Sequence, residues 1–114
     1  MPQVLVCSHD PLFLKHCYAT LRTDGFAVDT TDQTAQAVRM TLNQGYGAVI
    51  LDGGCIGLKA GEAARIIQSA TGIPVIIAGA EDAEPGALRV ARPLDVQEVR
   101  QAVQSACQSV MERR

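Results

Sequence analysis

Five short apolar runs, each separated from the next by a polar or amphipathic stretch, fix what this 114-residue chain can fold into. They are Gln3 to Cys7 (QVLVC), Phe26 to Thr30 (FAVDT), Gly47 to Asp52 (GAVILD), Pro74 to Ala78 (PVIIA) and Leu88 to Ala91 (LRVA). Most are apolar at nearly every position rather than at every second one. That pattern predicts strands covered on both faces, as in a parallel sheet.

The intervening stretches read as helices. Asp10 suits an N-cap and Pro11 a first helical position. Leu14, Cys17, Tyr18 and Leu21 then recur at helical spacing, and Asp24-Gly25 ends the helix. Ala35, Val38 and Leu42 mark a second helix, stopped near Gly45. Ala63, Ile66, Ile67 and Ala70 mark a third, stopped at Gly72. Ala80 to Ala87 is polar, carries a Pro-Gly pair and reads as a loop. Asp95-x-x-Glu98 is a capping box opening a last helix, with Val96, Val99, Val103, Ala106 and Val110 toward the core. The order βαβαβαβ, loop, βα predicts a doubly wound parallel α/β sheet with right-handed crossovers. Ligands on such sheets bind at the carboxyl ends of the strands, where strand order reverses.

Size and composition narrow the function. The length is that of one domain, 1–114. Apolar residues are 47% and aromatics 4% with no Trp, so Val, Ile, Leu and Ala must build the core. A net charge of −2 without a Lys/Arg stripe argues against nucleic acid. No apolar stretch approaches the ~18 residues of a membrane span, and no signal peptide is evident. The expectation is a cytoplasmic protein. Cys7, Cys17, Cys55 and Cys107 match no C-x-x-C or zinc spacing and read as buried small hydrophobes. Gly53-Gly54-x-x-Gly57 lacks the lysine of a P-loop and reads as a tight turn. No Ser/His/Asp or Cys/His arrangement points to an enzyme.

LDGGCIG at the end of the third strand, IPVIIAGA at the fourth and ARPLD before the last helix, taken in order, resemble the receiver (CheY-like) domains of response regulators. The resemblance covers nearly the whole chain. It implies a flavodoxin-like five-stranded sheet in the order 2-1-3-4-5 and a role in two-component phosphorelay signalling. It also implies a phosphoacceptor aspartate at Asp52, with the Gly54 carbonyl as a further Mg²⁺ ligand. The chain departs from that pattern at several positions. Ser8 and His9 stand where the family has its metal-binding acidic pair. Gly79 stands where a Thr or Ser would follow the phosphoryl group. Arg92, before Pro93, replaces a lysine, and Arg89 stands at the aromatic switch position. Only twelve residues separate Gly79 from Arg92, which implies a fourth helix missing or reduced to a turn.

Phosphoryl transfer to a carboxylate needs a hard cation, and Mg²⁺ takes oxygen ligands, one or two of them carboxylates. With Ser8 and His9 in place of acids, Mg²⁺ binding at Asp52 and Gly54 is expected to be weak. Glu81 and Asp82, after the fourth strand, are candidate substitutes whose geometry the sequence does not fix. The Arg92 guanidinium matches a phosphate and equally a carboxylate such as Asp52. The resulting expectation is a pseudo-receiver acting as a protein-interaction module, with a histidine kinase or a downstream signalling protein as partner. Its sheet edges and shortened fourth-helix region offer places for a homodimer. The alternatives are a working receiver phosphorylated on Asp52 and, more remotely, a metal site built on His9, Asp52 and Cys55 or a thiol sensor built on Cys7 and Cys55.

Overall fold

The computed structural model describes residues 3–52, 59–79, 88–90 and 96–112, and for 88–90, 96 and 107–112 the backbone alone. Among the described residues, five strands and four helices run β1 (Gln3–Cys7), α1 (Pro11–Thr23), β2 (Ala27–Thr31), α2 (Thr34–Asn43), β3 (Ala48–Asp52), α3 (Ala60–Thr71), β4 (Val75–Ala78), β5 (Leu88–Val90) and α4 (Val96–Glu112). The strands form one sheet in the order β2-β1-β3-β4-β5, every pair parallel. Strand order reverses at β1, so the edge beyond β1 and β3 is where this topology places a ligand crevice.

Side-chain alternation sorts the sheet into two cores. Val4, Val6, Ala48, Ile50, Ile76 and Ala78 face α1 and α4, packing with Phe13, Leu21, Val99 and Val103. Leu5, Cys7, Val49, Leu51, Val75 and Ile77 face α2 and α3, packing with Ala37, Ala63, Ala64 and Ile67. Strands buried on both faces are the reason the sequence shows unbroken apolar runs rather than alternation.

Caps follow local chemistry. Asp10 lies extended and its side chain accepts the Leu12 N–H, with Pro11 opening α1 as expected. At the other end Gly25 has φ +89°, the Gly25 N–H reaches the Arg22 carbonyl and the Phe26 N–H reaches Leu21. This is a Schellman closure. It claims Phe26 for the helix end, which starts β2 one residue later than the apolar run suggests. Asp24, at the C-terminal cap of α1, takes a two-pronged contact from Arg100 of α4 at 2.7–3.1 Å. A carboxylate at a helix C-terminus opposes the helix dipole, and the guanidinium offsets it while tying α1 to α4.

Three helical faces differ from the periodicity. In α1 the buried line is Phe13, Cys17 and Leu21. Tyr18 turns outward, with the Arg22 guanidinium 5.9 Å from its ring centroid. In α2 the buried positions are Thr34, Ala37 and Thr41, while Ala35 is exposed and Leu42 is 56% exposed. Two of those three core positions are threonines, so an apolar count misses them. Thr41 enters the core by returning its hydroxyl to the Val38 carbonyl at 2.7 Å. In α3, Ala60, Ala63, Ala64 and Ile67 are buried, whereas Ile66 and Ala70 are exposed. On α4, Val99, Val103 and Ala106 are buried as the spacing requires. The side chains of Val96, Cys107 and Val110, and all of Asp95 with its capping box, lie outside the described residues.

Nine residues, 79–87, connect β4 to β5, and 80–87 lie outside the described residues. A crossover with its own helix ordinarily takes at least ~10–12 residues. The shortened fourth-helix region expected from the sequence follows from that length.

At the amino edge of the sheet, Asp29 accepts from the Tyr46 hydroxyl at 2.8 Å and from Gln3 Nε2 at 3.0 Å. Burial first, then the hydrogen bond and charge of Asp29, push the Tyr46 phenol above its ordinary range. This polar cluster lies at the end of the sheet opposite Asp52.

Candidate functional site at the carboxyl edge

Register brings the sequence-predicted residues together. In the β1–β3 ladder Cys7 lies opposite Leu51, so Ser8 falls beside Asp52. In the β3–β4 ladder Asp52 lies opposite Ala78, so Gly79 follows at the same edge. Alternation along β1 and β3 puts Ser8 and Asp52 on the α1/α4 side, continuing the series Val6 and Ile50.

Asp52 is 3% exposed and Ser8 fully buried. The Ser8 hydroxyl donates to Asp52 Oδ2 at 2.7 Å and accepts from the Asp10 N–H at 2.9 Å. The Ser8 N–H donates to the Thr31 carbonyl at 3.1 Å, which fixes Ser8 as a continuation of the β1–β2 ladder. Burying a carboxylate requires hydrogen-bond donors, and the serine supplies a short one. His9 is exposed.

From the sequence, Ser8 is only the absence of an acid. The structure gives it a role of its own, as donor to Asp52. The signal was available in the parity of Val4, Val6 and Ser8 together with a strand register that sequence alone does not supply.

Gly79 has φ +69°. From the sequence, this position shows only the loss of a hydroxyl. A β-branched residue resists the left-handed region, so glycine at this point suits a strand exit that threonine would strain. Restoring the family's residue, Gly79→Thr, is therefore expected to destabilise the fold by about 1–2 kcal/mol, readable as a lower urea midpoint. A neutral or stabilising result would show that the loop relaxes freely.

Cys7 and Cys17 are buried on opposite faces of the sheet. Burial first, then the negative charge of Asp52, pushes the Cys17 thiol up to about 12. A thiol held neutral in this way is a poor nucleophile at neutral pH.

Mg²⁺ does not fit the described residues. At the acidic-pair positions stand a buried hydroxyl that donates to Asp52 and an exposed imidazole. Only Asp52 brings a carboxylate from the three matched positions. Among the described residues no group of three or more His, Cys, Asp or Glu side chains is placed to hold a metal ion. Gly54, Cys55, Glu81, Asp82, Arg92 and Pro93 lie outside the described residues, as does the Arg89 side chain. The backbone of Arg89 pairs with Ile77 in β5.

No helix among the described residues is long and apolar enough to cross a membrane. No protein-family model matches the chain, and no curated protein matches it in sequence. Solved structures match it in shape. A response-regulator receiver domain protein from Clostridium thermocellum superposes with a TM-score of 0.90 at 22% identity over 100% of both chains. A CheY-like receiver domain protein from Methanospirillum hungatei gives 0.89 at 12% identity, covering 100% of this chain and 99% of its own. The receiver domain of a sensor histidine kinase from Pseudomonas aeruginosa, with a magnesium ion coordinated in its active-site cleft, gives 0.81 at 22% identity over 94% and 98%. The chain has the receiver fold.

Proposed function

We propose that this receiver-fold chain is a pseudo-receiver. It is a single cytoplasmic, non-enzymatic domain that serves two-component signalling as a protein-interaction module with a constitutively presented surface. The observation that carries this reading is the 2.7 Å hydrogen bond from Ser8 to a buried Asp52. A receiver that accepts phosphoryl groups needs its aspartate oxygens open to a cation and an incoming phosphorus. Here one oxygen is held by a neutral donor in a site that is 3% exposed.

Two further features support it. Gly79 carries no hydroxyl to follow a phosphoryl group. Arg89 occupies the position that the resemblance assigns to the aromatic switch. The partner is a protein, either a histidine kinase or a downstream signalling protein.

A second reading, a receiver phosphorylated on Asp52 by a histidine kinase, draws on the position of Asp52. It ends β3 at the carboxyl edge beside the reversal of strand order. Amide NMR separates the two. Titration with Mg²⁺ and then beryllofluoride is expected to leave the amides of Ser8, Asp52 and Gly79 in place. Shifts at those amides that disappear in Asp52→Asn would establish the second reading and overturn the first.

A further inference from the structure

A chain of hydrogen bonds leads out of the Asp52 pocket in a direction that the receiver resemblance does not assign. Asp52 Oδ2 accepts from the Ser8 hydroxyl at 2.7 Å. The same oxygen of Ser8 accepts the Asp10 N–H at 2.9 Å. The Asp10 carboxylate then accepts the Leu12 N–H at 3.0 Å, and the Asp10 carbonyl accepts the Leu14 N–H at 3.1 Å. The helix cap of α1 is thus two hydrogen bonds away from the Asp52 carboxylate, through one side chain.

We infer that Ser8 is a positioning residue that couples the charge state of Asp52 to the first turn of α1. The coupling follows from what a hydroxyl can do. Its single proton goes to one acceptor, and its lone pairs then face the remaining donors. While Asp52 is a carboxylate, the Ser8 proton points at it and the lone pairs are left for the Asp10 N–H. A charged acceptor also polarises the hydroxyl and strengthens the bond it accepts in turn. Neutralise Asp52 and both effects weaken, so the Asp10 backbone loses part of its anchor.

Asp10 is the N-cap of α1: its side chain satisfies the free Leu12 N–H of the first turn, and its carbonyl accepts the first bond of the helical ladder, from Leu14. A shifted cap re-aims or frays that turn. The turn displays Leu12, which is 65% exposed, and Lys15 and His16 follow it on the exposed surface. The element that responds to the pocket is therefore α1, rather than the region beyond β4 where Gly79 has no hydroxyl to engage.

The inference rests on the Ser8–Asp52 bond that also carries the proposed function, but it needs neither Mg²⁺ nor a phosphoryl donor. Amide spectra of the wild type, Asp52→Asn, Ser8→Ala and the double variant test it. Asp52→Asn is expected to shift the Asp10 and Leu12 amides while leaving those of Ala63 and Ile67 on α3 unmoved. In the Ser8→Ala background the same Asp52→Asn change is expected to lose that effect on Asp10 and Leu12. Equal shifts with and without the serine hydroxyl, or none at Leu12 in either background, would overturn the coupling. If Ser8→Ala fails to fold, Ser8→Cys keeps the volume with a weak donor, and the same comparison applies. A wild-type response to beryllofluoride would remove the pseudo-receiver reading and leave this result standing, so the two fail separately.

Discussion

Ser8→Asp is expected to cost about 3–5 kcal/mol at neutral pH without divalent cation, the range for leaving a buried charge uncompensated. It is also expected to make stability depend on Mg²⁺, which that of the wild type should not. Ser8 is fully buried and its oxygen lies 2.7 Å from Asp52 Oδ2. A carboxylate there puts two like charges in contact, and such a pair holds a proton well above the ordinary carboxylate range. The sign of the pH effect follows. A carboxyl group whose folded pKa is raised above its unfolded value of about 4 contributes stability below that value. That stability is lost as pH rises through the raised pKa.

The variant should therefore unfold at a higher temperature at pH 5 than at pH 8. At pH 8, added Mg²⁺ should raise its Tm in proportion to the logarithm of cation concentration, because the cation binds only the folded pair. Calorimetry of the wild type and Ser8→Asp at both pH values, with and without Mg²⁺, makes the comparison. A variant as stable as the wild type at pH 8 without cation would mean that water enters the pocket freely. The Ser8–Asp52 bond would then be too weak to define the site.

The fold was legible in this sequence because its strands are covered on both faces. QVLVC, GAVILD and PVIIA leave no room for a helical period, and Asp10-Pro11 and Gly72 mark helix ends by local chemistry alone. What escaped the pattern was the rotation of the helices. Leu14, Tyr18, Leu42 and Ile66 satisfy helical spacing as well as Phe13, Cys17 and Thr41 do, and only packing chooses between the two lines. Threonine carries a methyl group that packs and a hydroxyl that the helix itself satisfies, so Thr41 is core while Leu42 is surface.

The candidate site was legible to the same degree. The positions of Ser8, His9, Asp52 and Gly79 at one edge follow from strand ends. The hydrogen bond between Ser8 and Asp52 does not, because it needs the β1–β3 register. The positive φ of Gly79 is a property of the path after β4, which no residue type announces by itself.

Ile50→Ala is expected to lower stability by about 2–5 kcal/mol, whereas Leu42→Ala should change it by less than about 0.5 kcal/mol. Ile50 is fully buried in the middle strand of the sheet and packs against the α1/α4 core. Truncation removes three carbons from a position with Val6 and Ile76 in the neighbouring strands, where parallel ladders on both sides oppose collapse of the cavity. Leu42, at 56% exposure, gives up little by losing its side chain, and alanine is the better helix former. Paired urea titrations at constant m-value read both changes on one scale. A small effect at Ile50 would mean that the α1/α4 face rearranges around the truncated position. A large loss at Leu42 would mean that this side chain is covered in solution, and sedimentation of the wild type would then show whether a second copy of the chain covers it.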